Sequence, residues 1–133
     1  MRTFVFLFSC FFFLAFPTNA KTFEDSAQIK LKDFFRESGA TYIIRNHHKT
    51  KETIQLPPDI TIQFEGGSVS CNLLLNRTLL KGNVKLQGAT ISGTITNTVF
   101  NAQWLCYADG KRDDAENINS ILKICKEVKF PKG

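Results

Sequence analysis

Several usual carriers of chemistry are missing from this chain of 133 residues. None of its four cysteines stands in a Cys-x-x-Cys pair, the spacing from which structural zinc sites draw ligands, and no third ligand accompanies the two histidines, so no metal or other cofactor is expected. A Gly-rich phosphate loop and a Ser-His-Asp set are also lacking. No apolar run reaches the roughly 20 residues that cross a bilayer; the densest, Phe4 to Phe16, is shorter. Lys and Arg outnumber Asp and Glu by 17 to 12, a net charge of +5, but they form no dense stripe with interleaved aromatics. Nucleic acid is therefore not an expected partner. A balance this modest suits an acidic polysaccharide as well as no partner.

What is present begins with an address. Arg2, the apolar run and the small-residue exit Thr18-Asn19-Ala20 make residues 1–20 a signal peptide, with the mature chain starting near Lys21. Cys10 lies inside the run with Phe11 after it, so lipid anchoring is not expected. The product is expected to be secreted, periplasmic or at the cell surface, with no membrane segment after cleavage. Cys71, Cys106 and Cys125 remain in a compartment that tolerates disulfides. A Cys106–Cys125 bridge and a role as buried apolar thiols both stay open.

The hydrophobic period then divides the chain. Phe23, Ile29, Phe34 and Phe35 fall near one side of a helix expected over Ser26–Glu37, capped by Asp25 or Ser26 and stopped at Gly39. From Tyr42 to Phe100 the pattern changes to short alternating strands, among them Ile60-Thr61-Ile62-Gln63-Phe64 and Ile91-Ser92-Gly93-Thr94-Ile95. Brief turns such as Pro57-Pro58-Asp59 and Gly66-Gly67 separate them. Such strands suit a small sandwich or a solenoid; Thr, Ser, Asn and Gln suited to ladders between stacked coils favour the solenoid. Asp109-Gly110, the pair Asp113-Asp114, an amphipathic helix carrying Ala115, Ile118, Ile121, Leu122 and Cys125, and Val128-Lys129-Phe130 before Pro131-Lys132-Gly133 complete the chain.

The run Leu56-Pro57-Pro58-Asp59-Ile60-Thr61-Ile62-Gln63-Phe64-Glu65-Gly66-Gly67-Ser68-Val69, the run Ala89 to Thr94 and the order Asp109-Gly110…Asp113-Asp114…Ile118…Pro131-Lys132-Gly133 resemble secreted right-handed parallel β-helix proteins of the pectate-lyase-like superfamily, of the Bacteroidetes type. That group takes in polygalacturonases, polysaccharide lyases and tailspike-like depolymerases. The usual entry segment has an uncharged pair where this chain has Lys111-Arg112, and small residues where it has Ala115-Glu116-Asn117. The resemblance implies a mainly β, short-stranded parallel solenoid with capping helices, incomplete at the carboxyl end. It divides as 1–20 signal peptide, 21–40 helical cap, 41–103 solenoid segment and 104–133 entry segment. It implies the exported N-terminal fragment of a glycoside hydrolase or lyase acting on plant or other acidic glycans, inactive alone. The alternative is a non-catalytic glycan-binding or oligomerisation module, so whether this is an enzyme stays open.

No catalytic set emerges. Glycosidases need two carboxyls flanking one sugar bond, whereas Asp113 and Asp114 are neighbours at a helix start, where carboxylates cap and Gly110 eases the preceding turn beside Asp109. Candidate glycan contacts are Arg45, by bidentate pairing with a uronate, His47, and Trp104 by stacking, as Tyr107 also could. His47-His48 with Lys49 and Lys51 reads first as a solvated basic loop. Adjacent strand residues face opposite sides, so the two imidazoles are not expected to share a ligand.

Overall fold

The structure is a computed structural model that describes residues 21–106 and 114–130. The expected signal peptide over residues 1–20, Tyr107, Asp109, Gly110, Asp113 and Pro131-Lys132-Gly133 lie outside the described residues. The elements are β1 (Thr22–Glu24), α1 (Leu31–Phe34), β2 (Thr41–Ile44), β3 (His47–Gln55), β4 (Thr61–Phe64), β5 (Ser68–Gly82), β6 (Thr90–Ile95), β7 (Val99–Asn101), a 3-10 turn (Ala102–Trp104), α2 (Ala115–Ile124) and β8 (Glu127–Lys129).

Every strand pairing is parallel, and the chain winds a β-solenoid of about four turns, the fold class expected from the short strands and polar ladders. Thr41 pairs with Thr61 and Thr61 with Leu79, so each coil takes about 20 residues, the short end of the range for stacked repeats. One face stacks β1, β2, β4 and the end of β5; the other stacks β3, the start of β5 and β6. The long strand β5 bends from one face to the other.

Alternation sends one side chain in two to the interior. Phe23, Tyr42, Ile62 and Leu80 share one register column, and Ile54, Leu73 and Ile91 another. Of these, Tyr42 to Leu80 and Ile54 to Ile91 are buried, while Phe23 is half-buried and stacks on Tyr42 at 5.2 Å. The Tyr42 hydroxyl is satisfied at the end of α1: it accepts from Arg36 N (3.1 Å) and Glu37 N (2.8 Å) and donates to Glu37 O (3.0 Å).

A repeated corner leads into the first face. Gly39, Asp59 and Arg77 each have positive φ (71°, 62° and 48°), and each precedes a buried residue, Ala40, Ile60 or Thr78. The left-handed conformation costs a residue with a side chain about 1–2 kcal/mol. At this corner Asp59 and Arg77 meet in a bidentate ion pair of 2.7 and 3.0 Å that joins successive coils. Close stacking excludes side chains elsewhere: a Cβ on Gly93, at φ 101°, would lie 2.0 Å from Leu75 O.

The expected helix over Ser26–Glu37 is realised only as Leu31–Phe34. Asp25 does not cap it, because its carboxylate finds three donors instead, Arg45 N and Asn46 N on the turn between β2 and β3 and the His48 ring on β3. The other end is closed by α2, which packs on β6 with Ile121 fully buried and Ile118 and Ile124 half-buried. This face is narrower than expected, since Leu122 is 55 % exposed. Asp114 stands at the N-cap of α2, where its Oδ1 accepts from Asn117 Nδ2 (3.4 Å) rather than from a first-turn amide. The Asn97 side chain acts as an extra rung: its Oδ1 accepts from Leu80 N and its Nδ2 donates to Leu80 O, both at 2.9 Å. The described cysteines are buried free thiols, so Cys106 and Cys125 are not bridged.

Candidate functional site

The basic stretch from His47 to Lys51 is strand rather than loop, and its register with β5 shapes the surface. His47, His48 and Lys49 pair with Ser68, Val69 and Ser70, but the next pairing is Thr53 with Asn72. Thr50, Lys51 and Glu52 therefore bulge outward opposite Cys71. A bulge of this kind disrupts the ladder and re-aims side chains. Around it lie three adjoining clefts of about 360, 580 and 410 Å³, and Lys49 lines all three. The first runs between Ala27–Leu31 and β3, the second beside Ser70, Asn72 and Gly88, and the third beside His47, Ser68 and Gln87.

The two histidines do face opposite ways. His47 is exposed and its Nδ1 is 2.8 Å from Ser68 Oγ. His48 is buried, and its Nε2 donates to Asp25 Oδ2 at 2.7 Å across a pair whose side chains are 5 % and 0 % exposed. Asp25 also accepts from Arg45 N and Asn46 N, each at 2.9 Å. Burial alone would push the Asp25 carboxyl up, but the bonds from His48, Arg45 and Asn46 outweigh it and hold the group below its ordinary range. A hydrolytic triad needs one imidazole between hydroxyl and carboxylate. Here the hydroxyl partner belongs to His47 and the carboxylate to His48, so the parts do not assemble.

Charge is distributed unevenly over this surface. Glu24 and Glu65 are both bound by Arg45, the latter at 3.0 Å from Nη2; Glu52 meets Lys32 at 3.7 Å, and Asp25 is held by His48. Among the described residues, no carboxylate lies within ion-pair distance of Lys30, Lys49 or Lys51. The clefts therefore present uncommitted ammonium groups, hydroxyls and amides, a lining that attracts anions and hydrogen-bonds sugars. Its thiol is inert: burial pushes Cys71 up to about 11, far from the thiolate that reacts. No group of three potential metal ligands occurs among the described residues.

The expected contacts fare differently. His47 lies on the cleft wall. Arg45 is on the neighbouring corner, where its guanidinium is already shared by Glu24 and Glu65. Trp104 is half-buried in the 3-10 turn and sits edge-on to Phe100 at 5.0 Å, a packing contact. Lys49 and Lys51 read in the sequence as part of a solvated basic loop, whereas Ser70 and Asn72 were not singled out; the alternation of His47-His48-Lys49 against Ser68-Val69-Ser70 carried that signal.

The chain matches no protein-family model, no curated protein and no solved structure.

Proposed function

We propose that this chain is a β-solenoid part of an exported, polysaccharide-acting protein of the pectate-lyase-like kind, and that its share of the work is to hold an acidic glycan rather than to cut it. The observation that carries the reading is the contrast in charge at the β3 bulge: carboxylates beside the clefts are committed to cations, while Lys30, Lys49 and Lys51 are not. Stacked strands repeat about every 4.8 Å, so Ser70, Asn72 and their register neighbours offer hydrogen-bonding groups at regular steps to an extended chain. Cleavage is disfavoured by the same arrangement. Glu24 and Glu65, which share a corner, are both paired with Arg45, so neither carboxylate is free to face a sugar bond.

Calorimetric titration with hexagalacturonate and, as neutral control, cellohexaose tests this directly. Binding of the acidic oligomer is expected to weaken at least about tenfold in Lys49→Ala/Lys51→Ala and to fall with added salt, as screened charge contacts do. Equal affinity for both oligomers, or no effect of the double substitution, overturns it. Release of new reducing or unsaturated ends by the chain alone overturns the non-catalytic part.

A further inference from the structure

We propose that the buried Asp25–His48 pair is a latch that holds the wall of the first cleft in place, so that ligand affinity depends on a contact the ligand does not touch. This rests on the glycan-holding reading for its binding consequence, though not for the latch itself. The cleft of about 360 Å³ has two walls, the segment from Ala27 to Leu31 and the strand residues His47 to Glu52. Within the first wall only α1 is regular, and it is a single turn. A segment of this kind has few ladder bonds of its own to define its position.

Asp25 stands two residues before that wall, and His48 is part of the other. Their 2.7 Å bond therefore ties the residues that lead into the first wall to the strand that forms the second. The backbone bonds from Arg45 and Asn46 to the same carboxylate fix Asp25 against the β2–β3 turn.

The position of His48 argues that the pairing has a purpose beyond filling space. It occupies an inward register position paired with Val69, and Val69 N donates to Lys85 O at 3.1 Å, which brings Leu86 into the same inward column on the next coil. Val69 and Leu86 are buried hydrophobics, so an apolar side chain would satisfy the column. An imidazole there carries a desolvation cost that a valine or leucine would not. What it adds is a donor for Asp25. A charge-assisted bond of this type is short and directional, which suits setting the separation of two walls. Lys30 and Lys49, one from each wall, are kept facing one cleft by the same contact.

The test uses the full chain with two readouts, hydrogen exchange and hexagalacturonate affinity, on His48→Leu, which suits the apolar column but removes the donor, and His48→Gln, which keeps a side-chain N–H. In His48→Leu, amides 22–31 are expected to exchange about tenfold faster while amides 54–56 and 73–75 keep their protection. Affinity should fall about fivefold, and His48→Gln should recover most of both. Unchanged exchange in 22–31 overturns the latch. A uniform loss of protection through all coils also overturns it, by showing that His48 acts only as core. Asp25→Asn supplies a second variant should His48→Leu fail to fold, with the same local pattern expected and the same uniform pattern contrary. Failure of the wild-type chain to bind hexagalacturonate strikes the glycan reading instead, while the exchange comparison still decides the latch.

Discussion

The β1 side and the β6 side of the described stack are covered by different chemistry. At the first coil the closing contacts are polar and specific: Asp25 gathers three donors, Arg45 bridges Glu24 and Glu65, and the Tyr42 hydroxyl is saturated by Arg36 and Glu37. At the last coil an amphipathic helix lays Ile118, Ile121 and Ile124 over β6, and a single amide, Asn97, completes the β5 edge. Apolar closure is tolerant of geometry and indifferent to pH. Polar closure requires each partner in place, because an orphaned buried donor or acceptor is costly. The end with demanding chemistry is also the end that carries the first cleft.

The largest effect is expected at the apolar end. Ile121 is fully buried, and truncation to alanine removes apolar contacts and leaves a cavity between α2 and β6. Ile121→Ala should lower unfolding free energy by about 2–5 kcal/mol in urea melts. A loss below about 1 kcal/mol would mean that α2 is not what closes that end.

The polar end should respond through unsatisfied groups rather than through volume. Tyr42→Phe keeps the ring stack with Phe23 and the edge contacts with Phe34 and Phe35, both at 5.0 Å. It strips the partner from two backbone N–H groups and one carbonyl. A loss of about 1–3 kcal/mol is expected, with the fold retained by circular dichroism. If the loss matched that of Ile121→Ala, the distinction between the two closures would collapse.

How far the sequence reached follows the same division. Period-two alternation from Tyr42 to Phe100 and the turns between strands left a sandwich or a solenoid; polar ladder residues and the resemblance to β-helix proteins selected the parallel solenoid, whose inward columns such as Tyr42, Ile62 and Leu80 need residues of one kind at one spacing. The apolar lid was legible for the same reason, although its stripe runs Ile118-Ile121-Ile124 with Leu122 outside. Long-range polar pairing was not. Nothing local to Asp25 says that its carboxylate leaves the following helix for residues 20 or more positions away, and without that the helix Ser26–Glu37 looks capped. Arg45 read as free for the same reason: its two glutamates come from neighbouring coils. The cleft itself depends on two extra residues in β3 against β5, a register shift that alternation within one strand does not reveal.

The smallest and most discriminating effect is the response to acid. Asp25 has a folded-state carboxyl held below its ordinary range of 3.8, so it favours the folded first coil at any pH above the unfolded value. That contribution falls away as pH drops through the lower folded value, since a protonated acid no longer accepts from His48, Arg45 N and Asn46 N together. The groups that face it are the His48 imidazole on β3 and the backbone N–H groups of Arg45 and Asn46 on the turn. Arg45 is tied to Glu24 and Glu65 at the same corner. Exchange measured between pH 5 and pH 2 should therefore show amides 22–31 losing protection first, below the usual aspartate range, while amides 118–125 under the isoleucine lid follow only with global unfolding. Simultaneous loss at both ends would show that the first coil is held by its apolar column alone, with the carboxylate cluster a consequence of the fold rather than a cause of its closure.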